Sequence, residues 1–168
     1  MNNSKDFAER QLDRILEFSP RVDAKASFIL GVDIGMLALL ATNAPPVRSL
    51  HWYAVFALIP LFLIGLSLWN LFQGSFPRLE GGHRSLIYFR EIANRSEEKF
   101  VEEFLSQNDD QLAKDLLSQI WQNSKILRLK YDHLKVAFTT LAFAIPFWVI
   151  SLAILVAGNT EAKTLLAK

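Results

Sequence analysis

Apolar residues along this chain gather in three long runs instead of recurring at helical period throughout. The first covers about residues 24–42 and reads AKASFILGVDIGMLALLAT, the second covers 52–72, and the third covers 136–157. At a rise of about 1.5 Å per residue, each is long enough to cross a hydrocarbon layer about 30 Å thick. Sixteen of the 17 acidic residues fall outside these runs, Asp33 being the exception. A soluble bundle would carry charges along the outer face of every helix, so the pattern predicts three transmembrane helices and not three core helices. The second run opens on Trp52 and Tyr53 and closes near Trp69, Asn70 and Gln73, as an interfacial aromatic belt does. In the third, Pro146 predicts a kink and Gly158-Asn159 a stop. A signal peptide fits the first run poorly, because the long stretch before it carries Asp6, Glu9, Asp13, Glu17 and Asp23.

The polar segments also predict helices. Residues 6–22 place Phe7, Leu12, Ile15, Leu16 and Val22 on one side, with Asp6 and Arg10 as an i,i+4 pair. Such a helix can lie on a membrane surface or pack on the segment between the second and third runs. In that segment SFPRLEGG, residues 75–82, ends the second helix in a turn. Residues 85–93 are too short and apolar for periodicity to decide between helix and strand. Ser96 before Glu97 and Glu98 marks an N-cap, and Asn108-Asp109 ends that helix and caps the next. From there Leu116, Ile120, Ser124, Leu127, Tyr131, Leu134, Phe138 and Leu141 form a heptad-like seam that enters the third run without a break. It is either helix packing alone or a path by which movement in the polar segment reaches the bilayer.

The expected architecture is thus an all-α integral membrane protein with three transmembrane helices and a helical insert between the second and third. Its parts are an N-terminal amphipathic helix (1–23), the first two spans (24–73), the insert (74–135), the third span (136–157) and a tail (158–168). Lys and Arg number 18, and all but Arg48, Lys163 and Lys168 lie in residues 1–25 or 74–135. By the positive-inside rule the N-terminus and the insert are cytoplasmic, and the C-terminus is periplasmic if the membrane is a bacterial inner membrane. A net charge of +1 gives no attraction to nucleic acid, and the absence of cysteine excludes disulfides, thiolate metal sites and a cysteine nucleophile.

Candidate chemistry is sparse. A charge at the bilayer centre costs about 2.5 to 3.5 kcal/mol on insertion scales, so Asp33 needs a role. Two fit: a wall of an aqueous path, or a carboxyl hydrogen-bonded to a neighbour such as Thr139, Thr140 or Asn70. Ser27, Gly31 and Gly35 form a small-residue stripe that lets a second helix approach closely, and Asp33 points about 200° away from it at 100° per residue. His51, His83 and His133 lack ligand spacing, so no metal is expected. With no phosphate loop and no nucleophile elbow, no catalytic residue is expected either. The insert mixes Arg78, Arg84, Arg90, Lys125, Arg128 and Lys130 with Tyr88, Phe89, Trp121 and Tyr131. Cations beside rings suit a nucleotide, and they equally suit anionic lipid.

The strings DAKASFILGVDIGMLALL, FPRLEGGHRSLIYFREIA and SQIWQNSKILRLKYDHLKVAF, in that order, resemble the membrane effector family of the bacterial Pycsar anti-phage system, PycTM, over roughly residues 20–155. The resemblance implies a chain that acts with a pyrimidine cyclase. After phage infection that enzyme makes cyclic CMP or cyclic UMP, and the effector impairs the inner membrane, so that the infected cell dies or stops growing. It implies no cofactor beyond the activating cyclic nucleotide. The ligand residues follow from chemistry and topology: Arg84, Lys125 or Lys130 for the phosphate, and Tyr88 or Tyr131 for the base. The expected partners are the lipid bilayer and further copies of the chain, packed through the Ser27-Gly31-Gly35 stripe or the 116–141 seam. The competing expectation is a passive membrane anchor or adaptor that recruits a soluble protein through the insert.

Overall fold

The computed structural model describes residues 2–44, 52–76 and 84–166, and every secondary-structure element among them is helical. Three helices are long and apolar enough to cross a membrane: α1 (Asn2–Thr42), α2 (Leu58–Ser75) and α5 (Asp109–Leu166). Between α2 and α5 lie α3 (Phe89–Ala93) and α4 (Glu97–Ser106), so the all-α class and the helical insert agree with the sequence reading. Pro45, Pro46, Arg48 and His51, and the 77–83 stretch with Gly81-Gly82, lie outside the described residues.

The chain divides into two compact units, Met1–Asp23 with Phe76–Tyr131 and Ala24–Ser75 with Asp132–Lys168. Helices α1 and α5 each contribute to both. In the second unit Ile29, Met36, Ile64, Leu71, Ala137, Leu141 and Ala144 form the core. The indole N–H of Trp148 donates to the Met36 carbonyl (3.0 Å), and the Ser151 hydroxyl donates to the Phe56 carbonyl (3.0 Å). The burial pattern of this unit departs from that of a water-soluble protein. Asp33 and Ser67 are fully enclosed, whereas Phe28 is 74% exposed and Phe62, Phe138 and Phe143 are exposed too. Apolar rings facing outward, with polar side chains such as Asp33 and Ser67 held inside, are what a lipid solvent favours.

The second run begins as a 3-10 helix, Trp52–Ala57, before α2 takes over at Leu58. Pro60 explains the change: it has no N–H, and starting the α-helix at Leu58 puts it in the first turn, where none is needed. The stop expected at Gly158-Asn159 does not occur, for α5 continues to Leu166. A glycine in a helix costs only about 1 kcal/mol against alanine, too little to end one that is followed by good helix formers. The helix also continues through Pro146.

In the first unit Ala8 and Leu12 of α1 pack against Leu116 of α5, with Ile87 and Ile120 beside them. The N-terminal stretch of α1 thus packs on the insert. Its buried stripe runs through Ala8, Leu12 and Val22, while Phe7 and Leu16, placed on the same side by their apolar character, flank that stripe and stay exposed. The seam on α5 needs a similar correction. Leu116 and Gln119 are buried in the first unit, and Ala137, Leu141, Ala144, Ser151 and Leu155 in the second, whereas Tyr131 and Phe138 are exposed. Apolar type marks lipid-facing positions as well as packed ones, so it cannot by itself locate a packing seam in a membrane helix.

Candidate functional site

Two polar arrangements stand out, one in each unit. The first starts at Ser85, a buried residue in the turn before α3. Its hydroxyl donates to Asp115 Oδ2 (3.0 Å) and accepts from Gln119 Nε2 (3.1 Å), Ile87 N–H (3.1 Å) and Tyr88 N–H (3.0 Å). Asp115 Oδ2 also accepts the Leu86 N–H at 2.8 Å. This hub anchors the start of the insert to α5. Immediately before it Arg84 takes a φ of 61°, in the left-handed region, with its N–H donating to Glu91 Oε2 at 3.0 Å.

Arg95, between α3 and α4, closes the arrangement. Its Nε donates to Glu103 Oε2 (2.8 Å), and its Nη1 donates to the carbonyls of Ser85 (3.0 Å) and Glu91 (2.6 Å). Ser96 then caps α4 through the Lys99 N–H (3.4 Å). Asn108 and Gln111 cap the start of α5 reciprocally, at 2.8 and 3.1 Å. Both caps fall where the sequence places them. Together α3 and α4 enclose a cleft of about 490 Å³ lined by Arg84, Glu91, Asn94, Arg95, Lys99, Glu103, Ser106 and Gln107.

Of the five ligand residues expected from sequence, Arg84 lines this cleft. The others stand elsewhere in the same unit. Tyr88 packs edge-on against Phe89 at 4.9 Å, with a buried hydroxyl that has no partner among the described residues. The Lys125 ammonium sits 4.3 Å from the centroid of the Trp121 ring. Lys130 reaches both carboxylate oxygens of Asp23 (2.8 Å each) and the Ser19 hydroxyl (3.0 Å). Tyr131 is exposed. Arg95 and Lys99, which sequence reasoning passed over, hold the cleft position instead. Arg95 lies four residues after Glu91 and eight before Glu103, ordinary surface spacings that do not single it out in the sequence.

The second arrangement joins three helices inside the second unit. Ser67 of α2 donates to Asp33 Oδ2 of α1 at 2.7 Å, and its hydroxyl lies 3.2 Å from the Ala137 carbonyl of α5. Asp33 Oδ1 is buried without a partner among the described residues. The partner of Asp33 is therefore Ser67, and not Thr139, Thr140 or Asn70. Both threonine hydroxyls donate back to their own helix, at Lys135 and Val136, as threonines in a helix commonly do. The Asn70 amide donates to Leu66, and its oxygen lies 3.3 Å from His133 Nδ1. Ser67 lies on the buried face of α2 with Pro60, Ile64 and Leu71. Ser27, Gly31 and Gly35 are exposed, and no other helix comes within 4 Å of where a β-carbon would stand at either glycine.

A helical membrane protein with a separately packed polar unit is the class that these features define. Within that class the family is specific: residues 7–157 match the model of the Pycsar effector protein domain, PycTM, and the chain belongs to that family. Comparison with curated proteins and with solved structures finds no significant match. Membership carries a role in Pycsar anti-phage defence, as an effector.

Proposed function

We propose that this chain is the membrane-impairing effector of its defence system, switched on by a cyclic pyrimidine nucleotide, cyclic CMP or cyclic UMP, that a partner cyclase makes on infection. The observation that supports this most directly is the coupling of the family match to the division of the chain: a unit with lipid-suited surfaces and a second unit holding a cationic cleft. The excess of Lys and Arg supports an insert and an N-terminus in the cytoplasm, where such a nucleotide is produced, and a C-terminus in the periplasm. Helix α5 contributes to both units without interruption, so a nucleotide that binds the active arrangement better than the resting one has a direct mechanical route to the bilayer. Three helices are too few to enclose an aqueous path, and the path forms between several protomers.

The test is expression with and without a pyrimidine cyclase while a potential-sensitive dye is followed. Depolarisation and growth arrest are expected only when both proteins are present. An intact potential in the presence of the cyclase, with the protein correctly inserted, would favour the anchor or adaptor role instead.

A further inference from the structure

We infer that Arg95, and not Lys125 or Lys130, is the centre of the site that binds the activating anion, and that the 84–107 cleft takes a phosphodiester monoanion. Its nucleotide form rests on the function proposed above; the anion site itself does not. The Arg95 side chain is only 9% exposed and is fixed by three hydrogen bonds through Nε and Nη1. Nη2, with two further N–H donors, has no acceptor among the described residues. It is not sealed off from solvent either, and Arg95 lines the cleft, so these donors open into it.

A buried guanidinium with its orientation already fixed loses little entropy on meeting a ligand, and a free N–H of Nη2 can donate one charge-assisted hydrogen bond to a phosphate oxygen. Arg84 and Lys99 add two cations to the same walls. The two carboxylates present are engaged, Glu91 on the Arg84 N–H and Glu103 on Arg95 Nε. Three cations against two carboxylates leave one positive charge, which complements a phosphodiester better than a doubly charged monoester. The cavity falls within the size range of small-ligand sites, roughly 300 to 1,000 Å³. Its lining holds no aromatic ring, so the base would be met by the side-chain amides of Asn94 and Gln107, each offering both donors and an acceptor.

An anionic lipid headgroup is also a phosphodiester monoanion, and the experiment separates the two sources. The full chain in phosphatidylcholine nanodiscs is titrated calorimetrically with cyclic CMP and cyclic UMP, and native mass spectrometry counts phosphatidylglycerol retained after exchange. Wild type is compared with Arg84→Gln, Lys99→Gln and Arg95→Lys; the first two alter side chains on which no described hydrogen bond depends, so folding is unaffected. A cyclic nucleotide is expected to bind wild type, and each variant to weaken it by roughly tenfold or more. Binding of equal strength in all four proteins overturns the cleft and leaves the proposed function standing. If no nucleotide binds but phosphatidylglycerol is retained by wild type and lost from the variants, the anion site stands and the nucleotide reading falls. Failure of both ligands overturns both.

Discussion

Replacing Gly31 and Gly35 together by isoleucine is expected to leave the protein folded and inserted, to abolish oligomers on crosslinking, and to remove growth arrest under cyclase co-expression. Within one protomer there is room for the new β-carbons, since no other helix lies within 4 Å of either. Isoleucine is also a better helix former than glycine, by about 0.5 kcal/mol per position. Loss of oligomers and of activity together would place the effect between protomers, where two β-branched side chains would hold apart helices packed through the small-residue stripe. Crosslinked oligomers as abundant as in wild type would exclude the stripe as the interface.

The second large effect is expected at the junction of α1, α2 and α5. Ser67→Ala removes the hydroxyl that bridges the Asp33 carboxyl and the Ala137 carbonyl, leaving both Asp33 oxygens enclosed without a partner. Loss of a buried partner costs about 1 to 3 kcal/mol, which shifts a two-state equilibrium by roughly 5- to 150-fold. If the junction locks the resting arrangement, Ser67→Ala depolarises cells without a cyclase, while Asp33→Asn, which keeps an acceptor oxygen for Ser67, stays close to wild type. If Asp33 instead lines the path, Asp33→Asn inserts normally and fails to depolarise. Wild-type behaviour of Asp33→Asn and Asp33→Leu alike would deny Asp33 any part in the response.

The three spans were legible because lipid demands long runs that nearly exclude charge, a signal no packing detail can erase. The caps at Ser96 and Asn108 were legible for a different reason, since each uses side chains within three residues of one another. What sequence could not supply was the partner across helices. Ser67 and Asp33 are 34 positions apart, and nothing along the chain ranks Ser67 above Thr139 or Asn70 as the group that meets the carboxyl. Lys130 shows the same gap from the other side. It reads as a cation available to a ligand until the fold presents it with Asp23, 107 residues earlier. Conversely, Arg95 reads as an ordinary surface charge, and only the fold brings it the Ser85 and Glu91 carbonyls that fix its guanidinium.

If the 84–107 cleft takes the nucleotide, Arg84 sets thermal robustness against responsiveness. A residue with a β-carbon at a φ of 61° gives up about 1 to 2 kcal/mol relative to the right-handed region, a penalty glycine does not carry. Glycine returns part of that through the greater freedom of its unfolded chain, roughly 0.4 to 1 kcal/mol. Arg84→Gly is accordingly expected to melt about 1 to 3 °C higher by circular dichroism while needing more nucleotide to act. A screen that ranks variants by melting temperature alone, as is common when preparing membrane proteins for structural work, would then enrich for receptors that have gone deaf.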